Sequence, residues 1–211
     1  MFREIYIFKR EKIMILGLTG GIASGKSTAS RILREMGYEV YDADVMAHEA
    51  LKNNLCKKAI ENEFGKMVLE ESGEVNRSLL REIVFRDREK LKILNGIVHP
   101  VVIKEFQNLK RNNPSDKIII FDIPLLFEVK LEYLCDKIIL IFTDRETQIA
   151  RIRKRDGSSR EIAEKMIDSQ ENMESKKIKS DYCIENSKNI SDLKNEIISV
   201  LEKNHIESKD K

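Results

Sequence analysis

Two rhythms of apolar residues alternate along the chain. Short apolar-rich runs occupy residues 13–18, 38–41, 117–121, 137–142 and 182–185. Each predicts a strand, and the unbroken ones predict strands buried on both faces. Between the runs, apolar residues recur every three or four positions, the spacing of a helix face. Ile32, Leu33 and Met36 mark such a face over 28–36, with Gly37 as the expected C-cap. A short helix is expected over 45–51. Residues 55–111 read as mostly helical, broken near Gly65 and at Ser72-Gly73. One helix there carries Leu79, Leu80, Ile83 and Val84, and a later one carries Leu91, Leu94, Ile97 and Val98. Val101, Val102 and Phe106 continue that pattern past Pro100, which is expected to bend or divide it. Residues 112–115 form a turn cluster. An Arg-rich helix follows Asp144 to about Arg155, and Ser159 caps the next, which carries Ile162, Met166 and Ile167. A last helix starts at Ser191 with Leu193, Ile197, Ile198 and Leu201, and a polar, frayed tail begins at Lys203. Strands alternating with helices give an α/β fold, a five-stranded parallel sheet covered by helices on both faces.

The link between the first strand and the first helix holds the strongest chemical signal. Gly20, Gly25, Lys26 and Ser27 fit G-x-x-x-x-G-K-[ST], the phosphate-binding P-loop. Glycines let the backbone wrap an anion so that successive N–H groups point at its oxygens. The positive end of the following helix adds to that attraction. Lys26 is placed for the β- and γ-phosphates, and Ser27 for Mg²⁺. Strand, loop and helix in this order are the context that the motif needs.

Composition narrows the partners. Lys and Arg total 38 against 36 Asp and Glu, a net charge of +2, without the basic excess of a nucleic-acid binder. No apolar run approaches the roughly 20 residues of a membrane helix. The first thirteen residues lack the apolar core of a secretory signal, so the extension over 1–12 is expected to be dispensable, with Met14 as an alternative start. Cys56, Cys135 and Cys183 match no metal spacing and read as thiols of a reducing cytoplasm. The expectation is a cytoplasmic protein, monomeric or weakly homo-oligomeric, with no nucleic-acid or membrane partner.

Acidic residues gather at the strand ends. Asp42, Asp44, Asp122 and Asp144 all lie just after predicted strands, where ligands bind in open α/β sheets. Phosphoryl transfer needs positioned MgATP, an acceptor hydroxyl and positive charge around the moving group. Asp122, after an apolar strand, is a candidate Mg²⁺ ligand; its alternative is a turn residue. Asp44 is a candidate for orienting the acceptor and taking its proton, and Asp42 competes for either role, one of the two being expected to cap the next helix. His48, one turn beyond Asp44, is a candidate to line the same cleft. Gln148, Arg151 and Arg155 share one helical face, and Arg160 lies past the break at Asp156-Gly157-Ser158. They read either as a phosphate-meeting lid or as a solvated basic face.

Together these residues resemble the dephospho-coenzyme A kinase family. The resemblance runs from about Ile13 to Leu201 through the P-loop, Asp42-Ala43-Asp44, His99-Pro100-Val101, the stretch from Asp122 to Glu128 with its Asp-x-Pro-Leu-Leu-Phe-Glu pattern, Thr143-Asp144, Gln170, Lys176 and the segment 181–186. It implies a P-loop NTPase fold with a helical acceptor-binding region over about 45–112 and a lid over about 145–172. The kinase domain then spans 13–203, followed by a polar tail at 204–211. The implied reaction is ATP-dependent, Mg²⁺-assisted phosphorylation of the ribose 3′-hydroxyl of dephospho-coenzyme A, the final step of coenzyme A biosynthesis. The implied ATP site comprises Gly20, Gly21, Ile22, Ala23, Ser24, Gly25, Lys26, Ser27 and Thr28, with Asn186 at the adenine. Asp44, His48, His99, Pro100 and Leu125 are implied on the acceptor side, Ser27 and Asp122 at the metal, and Arg151 and Arg155 with Lys26 and Asp44 in catalysis. Ala23 stands in place of a frequent glycine, and is expected to fit a loop residue with φ < 0. Another small-metabolite P-loop kinase is the alternative enzyme. A GTPase-like switch is opposed by the absence of Asn-Lys-x-Asp and of Asp-x-x-Gly after the third strand. An ATP-binding scaffold is opposed by Asp44, Asp122 and the lid arginines.

Overall fold

The computed structural model describes residues 15–112 and 117–206. The extension, most of the 112–115 turn and the tail beyond 206 lie outside the described residues. Strands β1 (Ile15–Gly20), β2 (Glu39–Asp42), β3 (Ile119–Asp122), β4 (Lys137–Phe142) and β5 (Tyr182–Glu185) form one sheet in the order β2-β3-β1-β4-β5, every pair parallel. The reversal of direction beside β1 puts a crevice at the carboxyl ends of β1 and its neighbours.

Alternation along each strand sorts side chains to two cores. On one face Leu16, Leu18, Ile120, Ile139, Ile141 and Ile184 meet α1 (Lys26–Glu35) and α9 (Ile190–Lys203). On the other, Ile15, Ile119, Phe121 and Ile138 meet α5 (Arg88–Asn112), with α2 (Ala43–Ala50) packed beside it. A satellite core under α3 (Asn54–Phe64) and α4 (Arg77–Arg86) gathers Ile60, Val68, Val75, Leu80 and Val84. A fourth cluster joins α6 (Arg145–Asp156) to α7 (Arg160–Asp168) through Ile149, Ile152 and Ala163, and Ile22 and Ala23 of the P-loop pack against it.

Several expectations change. Pro100 does not divide its segment: α5 runs unbroken past it. The carbonyl that its missing N–H would have used belongs to Gly96, and burial of Val98, Val102 and Phe106 on one side holds the helix together. Met36 caps α1 and Gly37, at φ 91°, follows it. Helix α9 starts under Asn189, just before Ser191. On α7 the buried residue is Ala163, while Ile162 is exposed. The polar tail does not fray at Lys203, because Ile206 is buried and its carbonyl accepts the Tyr38 hydroxyl at 2.8 Å. Helix α8 (Met173–Lys179) has no counterpart in the sequence reading. Its one buried side chain is Lys176, paired with Glu128 at 2.7 Å. Among the described residues no helix is long and apolar enough to cross a membrane.

Candidate active site

The site grows from the turn between β1 and α1. Every other α-helix among the described residues begins under an Asp, Asn or Ser side chain that accepts a first-turn N–H. Helix α1 begins at Gly25, φ 92°, with no side-chain cap. Its first N–H groups are therefore left to an external anion, at the positive end of the helix. Lys26 points from this turn to Asp122 at the end of β3, and their charged ends are in contact. Asp122 is 1% exposed, so the pair neutralises a carboxylate that burial alone would disfavour.

Carbonyls of the loop are turned outward and captured by side chains from two other elements. Gln148 Nε2 donates to the Ile22 oxygen at 2.8 Å. Arg151 donates to the oxygens of Ala23 (3.2 Å), Ser24 (3.3 Å) and Asn186 (2.8 Å). Asn186, just beyond β5, donates its side-chain N–H to the Ser24 oxygen at 2.8 Å. Ala23 departs from expectation: its φ is +58°, the left-handed region, so the alanine takes a conformation that glycine adopts without steric cost. Its packing with Ile149 and Ile152 offsets part of that cost. A cleft of about 660 Å³ opens beside the loop, lined by Ala23, Gly25, Thr28, Arg151, Asn186 and Ile190 among others.

Across the crevice, β2 and β3 run in register with Asp42 opposite Asp122. Asp42 caps α2, accepting from the N–H groups of Asp44 and Val45 at 2.8 and 3.2 Å. That leaves the Asp44 carboxylate free of the capping task. Its pKa is raised from its ordinary value, first by desolvation and then by the Asp42 charge, with Asp122 adding and Lys26 and His48 opposing. These couplings bring Asp44, Asp42, Lys26, Asp122 and His48 into one electrostatic site. Ser27 is exposed in the first turn of α1. Leu125, three residues past Asp122, is exposed at 41% between buried Ile123 and Leu126, an open apolar surface at the strand end.

The remaining candidates take no part in these couplings. His99 is half-buried on α5, its pKa lowered by desolvation, and Pro100 is exposed beside it. Arg155 pairs with its neighbour Asp156 at 2.7 Å on the exposed end of α6, and Arg160 pairs with Glu146 and Glu164. Of the shared helical face, Gln148 and Arg151 reach the P-loop and Arg155 does not. Lys188 and Ile190 line the cleft without having been read from the sequence; their only signal was their place after β5. No cluster of three or more His, Cys, Asp or Glu among the described residues has the arrangement of a metal cage.

Comparison with known proteins agrees with this geometry. Residues 14–192 match the family described as CoaE, dephospho-CoA kinase. A dephospho-CoA kinase of Fusobacterium nucleatum is 49% identical over 181 residues, covering 86% of this chain and 93% of that one. The dephospho-CoA kinase from Campylobacter jejuni is similar in structure at a TM-score of 0.66 with 32% identity, over 90% of this chain and 96% of that one. TT1252 from Thermus thermophilus is similar at a TM-score of 0.74 with 31% identity, over 90% and 97%. The P-loop kinase sheet and a match over most of the chain, to the family and to a relative nearly half identical, agree: this protein belongs to the dephospho-CoA kinase family.

Proposed function

We propose a division of labour, residue by residue, for the family reaction in this chain. The reaction is the ATP-dependent phosphorylation of dephospho-CoA to CoA, the last step of CoA biosynthesis. In our reading the ribose 3′-hydroxyl oxygen attacks the γ-phosphorus and the bond to the β–γ bridging oxygen breaks, releasing ADP. The hydroxyl proton passes to Asp44. The observation that carries this reading is the convergence of Asp44, Lys26 and Asp122 at the mouth of an uncapped helix.

The N–H groups of Gly25, Lys26 and Ser27, at the mouth of α1, hold the phosphate chain, and Lys26 meets the β- and γ-phosphates. A raised pKa, from desolvation and the Asp42 charge, makes Asp44 a stronger base than an ordinary carboxylate. Ser27 and Asp122 would supply oxygen donors to Mg²⁺, an ion that usually needs only one or two protein oxygens. When bound there, the ion neutralises charge on the phosphate oxygens. Arg151 keeps the loop in shape, and Arg155 supplies lid charge as α6 and α7 close. The adenine occupies the cleft beside Asn186 and Ile190. His48, His99, Pro100 and Leu125 belong to the acceptor side, within the helical region 45–112, and 145–172 forms the lid. We assign the reaction to a cytoplasmic monomer or weak homo-oligomer; the balanced net charge of +2 supports the absence of a nucleic-acid partner.

Asp44→Asn tests the assignment. It keeps shape but removes basicity, so single-turnover transfer should drop by roughly two to four powers of ten with ATP binding retained. Asp42→Asn keeps a capping oxygen and should lose far less. Wild-type transfer by Asp44→Asn, with Asp42→Asn inactive, reverses the two roles.

A further inference from the structure

Two glutamines that the reaction scheme leaves without a task meet at one P-loop residue. Gln148, on α6, donates to the Ile22 oxygen at 2.8 Å. The Ile22 N–H in turn donates to Gln170 Oε1 at 2.8 Å. Gln170 follows the C-terminal turn of α7, so it stands at the base of the lid segment. Gln148 is 4% exposed, and its approach to the loop is close: a Cβ on Gly21 would lie 2.8 Å from Gln148 Nε2 and 2.6 Å from the Met173 methyl. Any side chain at position 21 would push the clamp apart.

Polarity gives the arrangement its meaning. One glutamine offers a donor and the other an acceptor, so the peptide groups on either side of Ile22 each have one permitted direction. The Ile22 carbonyl, like those of Ala23 and Ser24, is held outward. The Ser24 N–H is spent on the Gly21 oxygen at 3.1 Å, but outward carbonyls at Ile22 and Ser24 leave the next N–H groups, of Ala23 and Gly25, on the phosphate side. Side chains of the protein itself impose this orientation. A preset anion site binds without the cost of ordering the loop.

We infer that Gln148 and Gln170 are positioning residues that clamp the peptide groups flanking Ile22, preset the P-loop for the phosphate chain of ATP, and tie it to the base of the lid. This rests on the assignment of the P-loop to ATP. Neither residue is placed against substrate; each acts through Ile22.

The experiment exploits donor against acceptor. In Gln170→Glu a carboxylate oxygen still accepts the Ile22 N–H. In Gln148→Glu the carboxylate confronts the Ile22 carbonyl with no donor. Each variant adds one negative charge, so comparing them isolates the hydrogen bond. Gln170→Leu removes the acceptor outright. Initial rates on the full chain with ATP and dephospho-CoA should show KM for ATP raised about tenfold in Gln170→Leu, and about tenfold higher in Gln148→Glu than in Gln170→Glu. KM for dephospho-CoA should stay unchanged and kcat should change much less, the pattern of lost ground-state binding. Equal KM for ATP in the two Glu variants, or an unmoved KM in Gln170→Leu, overturns the clamp. If Gln148→Glu does not fold, Gln170→Leu against Gln170→Glu decides alone. The wild-type enzyme run alongside tests ATP use itself, so failure of the clamp and failure of the P-loop assignment give different results.

Discussion

Replacing Gly25 by alanine perturbs the phosphate loop at its tightest point. Gly25 has φ 92°, and a Cβ built there would lie 2.0 Å from the Asn186 side-chain nitrogen. Gly157 is the matched control: it too is left-handed, at φ 66°, but a Cβ there meets nothing within 4 Å. Both substitutions incur the left-handed penalty of about 1–2 kcal/mol. Both also gain about 0.4–1 kcal/mol by restricting the unfolded chain. Those contributions cancel between them. What remains is the expulsion of the buried Asn186 amide from the Ser24 carbonyl, about 1–3 kcal/mol for a buried donor and acceptor left unpaired. In a domain of this size each 1 kcal/mol lowers Tm by about 2–4 °C. Gly25→Ala should therefore melt about 2–12 °C below Gly157→Ala, and should also bind ATP more weakly. Thermal unfolding followed by circular dichroism, with urea titration as a second reading, measures the gap. Adding Asn186→Ala to Gly25→Ala should recover part of the loss, because the clash is gone. Equal Tm values for the two glycine variants would refute the reasoning, since Asn186 would then not be seated against the loop.

Two further expectations follow from the site. In the proposed scheme Asp44 acts as the ionised base, and its pKa is raised, so kcat/KM should rise with pH along a limb whose midpoint lies above the roughly 3.9 of an ordinary aspartate. Asp44→Asn should abolish that limb, and a wild-type midpoint at or below the ordinary value contradicts the assignment. Arg151→Ala strips donors from three carbonyls and should lower Tm and weaken ATP binding together, whereas Arg155→Ala loses only an exposed pair with Asp156 and should leave Tm unchanged while slowing turnover. Equal Tm losses in these two variants would contradict the different places given to the two arginines.

Much of the fold was legible because burial leaves a period in the sequence. The strands stand out as apolar runs, and the P-loop as glycines at set spacing before a helix. Where the stabilising term was not apolar burial, the pattern was silent. Helix α8 is seven residues whose one buried side chain is a lysine, held by Glu128. Local propensity at Pro100 pointed to a break, but three buried residues on one face of α5 outweighed one missing N–H. Ile206 looked like part of a polar tail, though one apolar side chain and one Tyr38 hydrogen bond suffice to dock it. Residue types told which groups belong near phosphate, but not which way they turn. The spacing put Gln148, Arg151 and Arg155 on one face, and only tertiary packing separates the two that hold the P-loop from the one that faces solvent. The conformation of Ala23 was equally hidden, because a left-handed alanine needs neighbours such as Ile149 and Ile152 that the local sequence does not reveal.

The most direct test offers the purified chain ATP with dephospho-CoA, and in parallel free adenosine and a simple sugar as acceptors. ADP release is followed by a coupled assay, and phosphorus NMR locates the new phosphate. The expected result is ADP release matched by CoA bearing its new phosphate on the ribose 3′ oxygen, with the other acceptors giving little. Efficient transfer to another acceptor with none to dephospho-CoA, or a phosphate at a different position, would contradict the reading of this cleft.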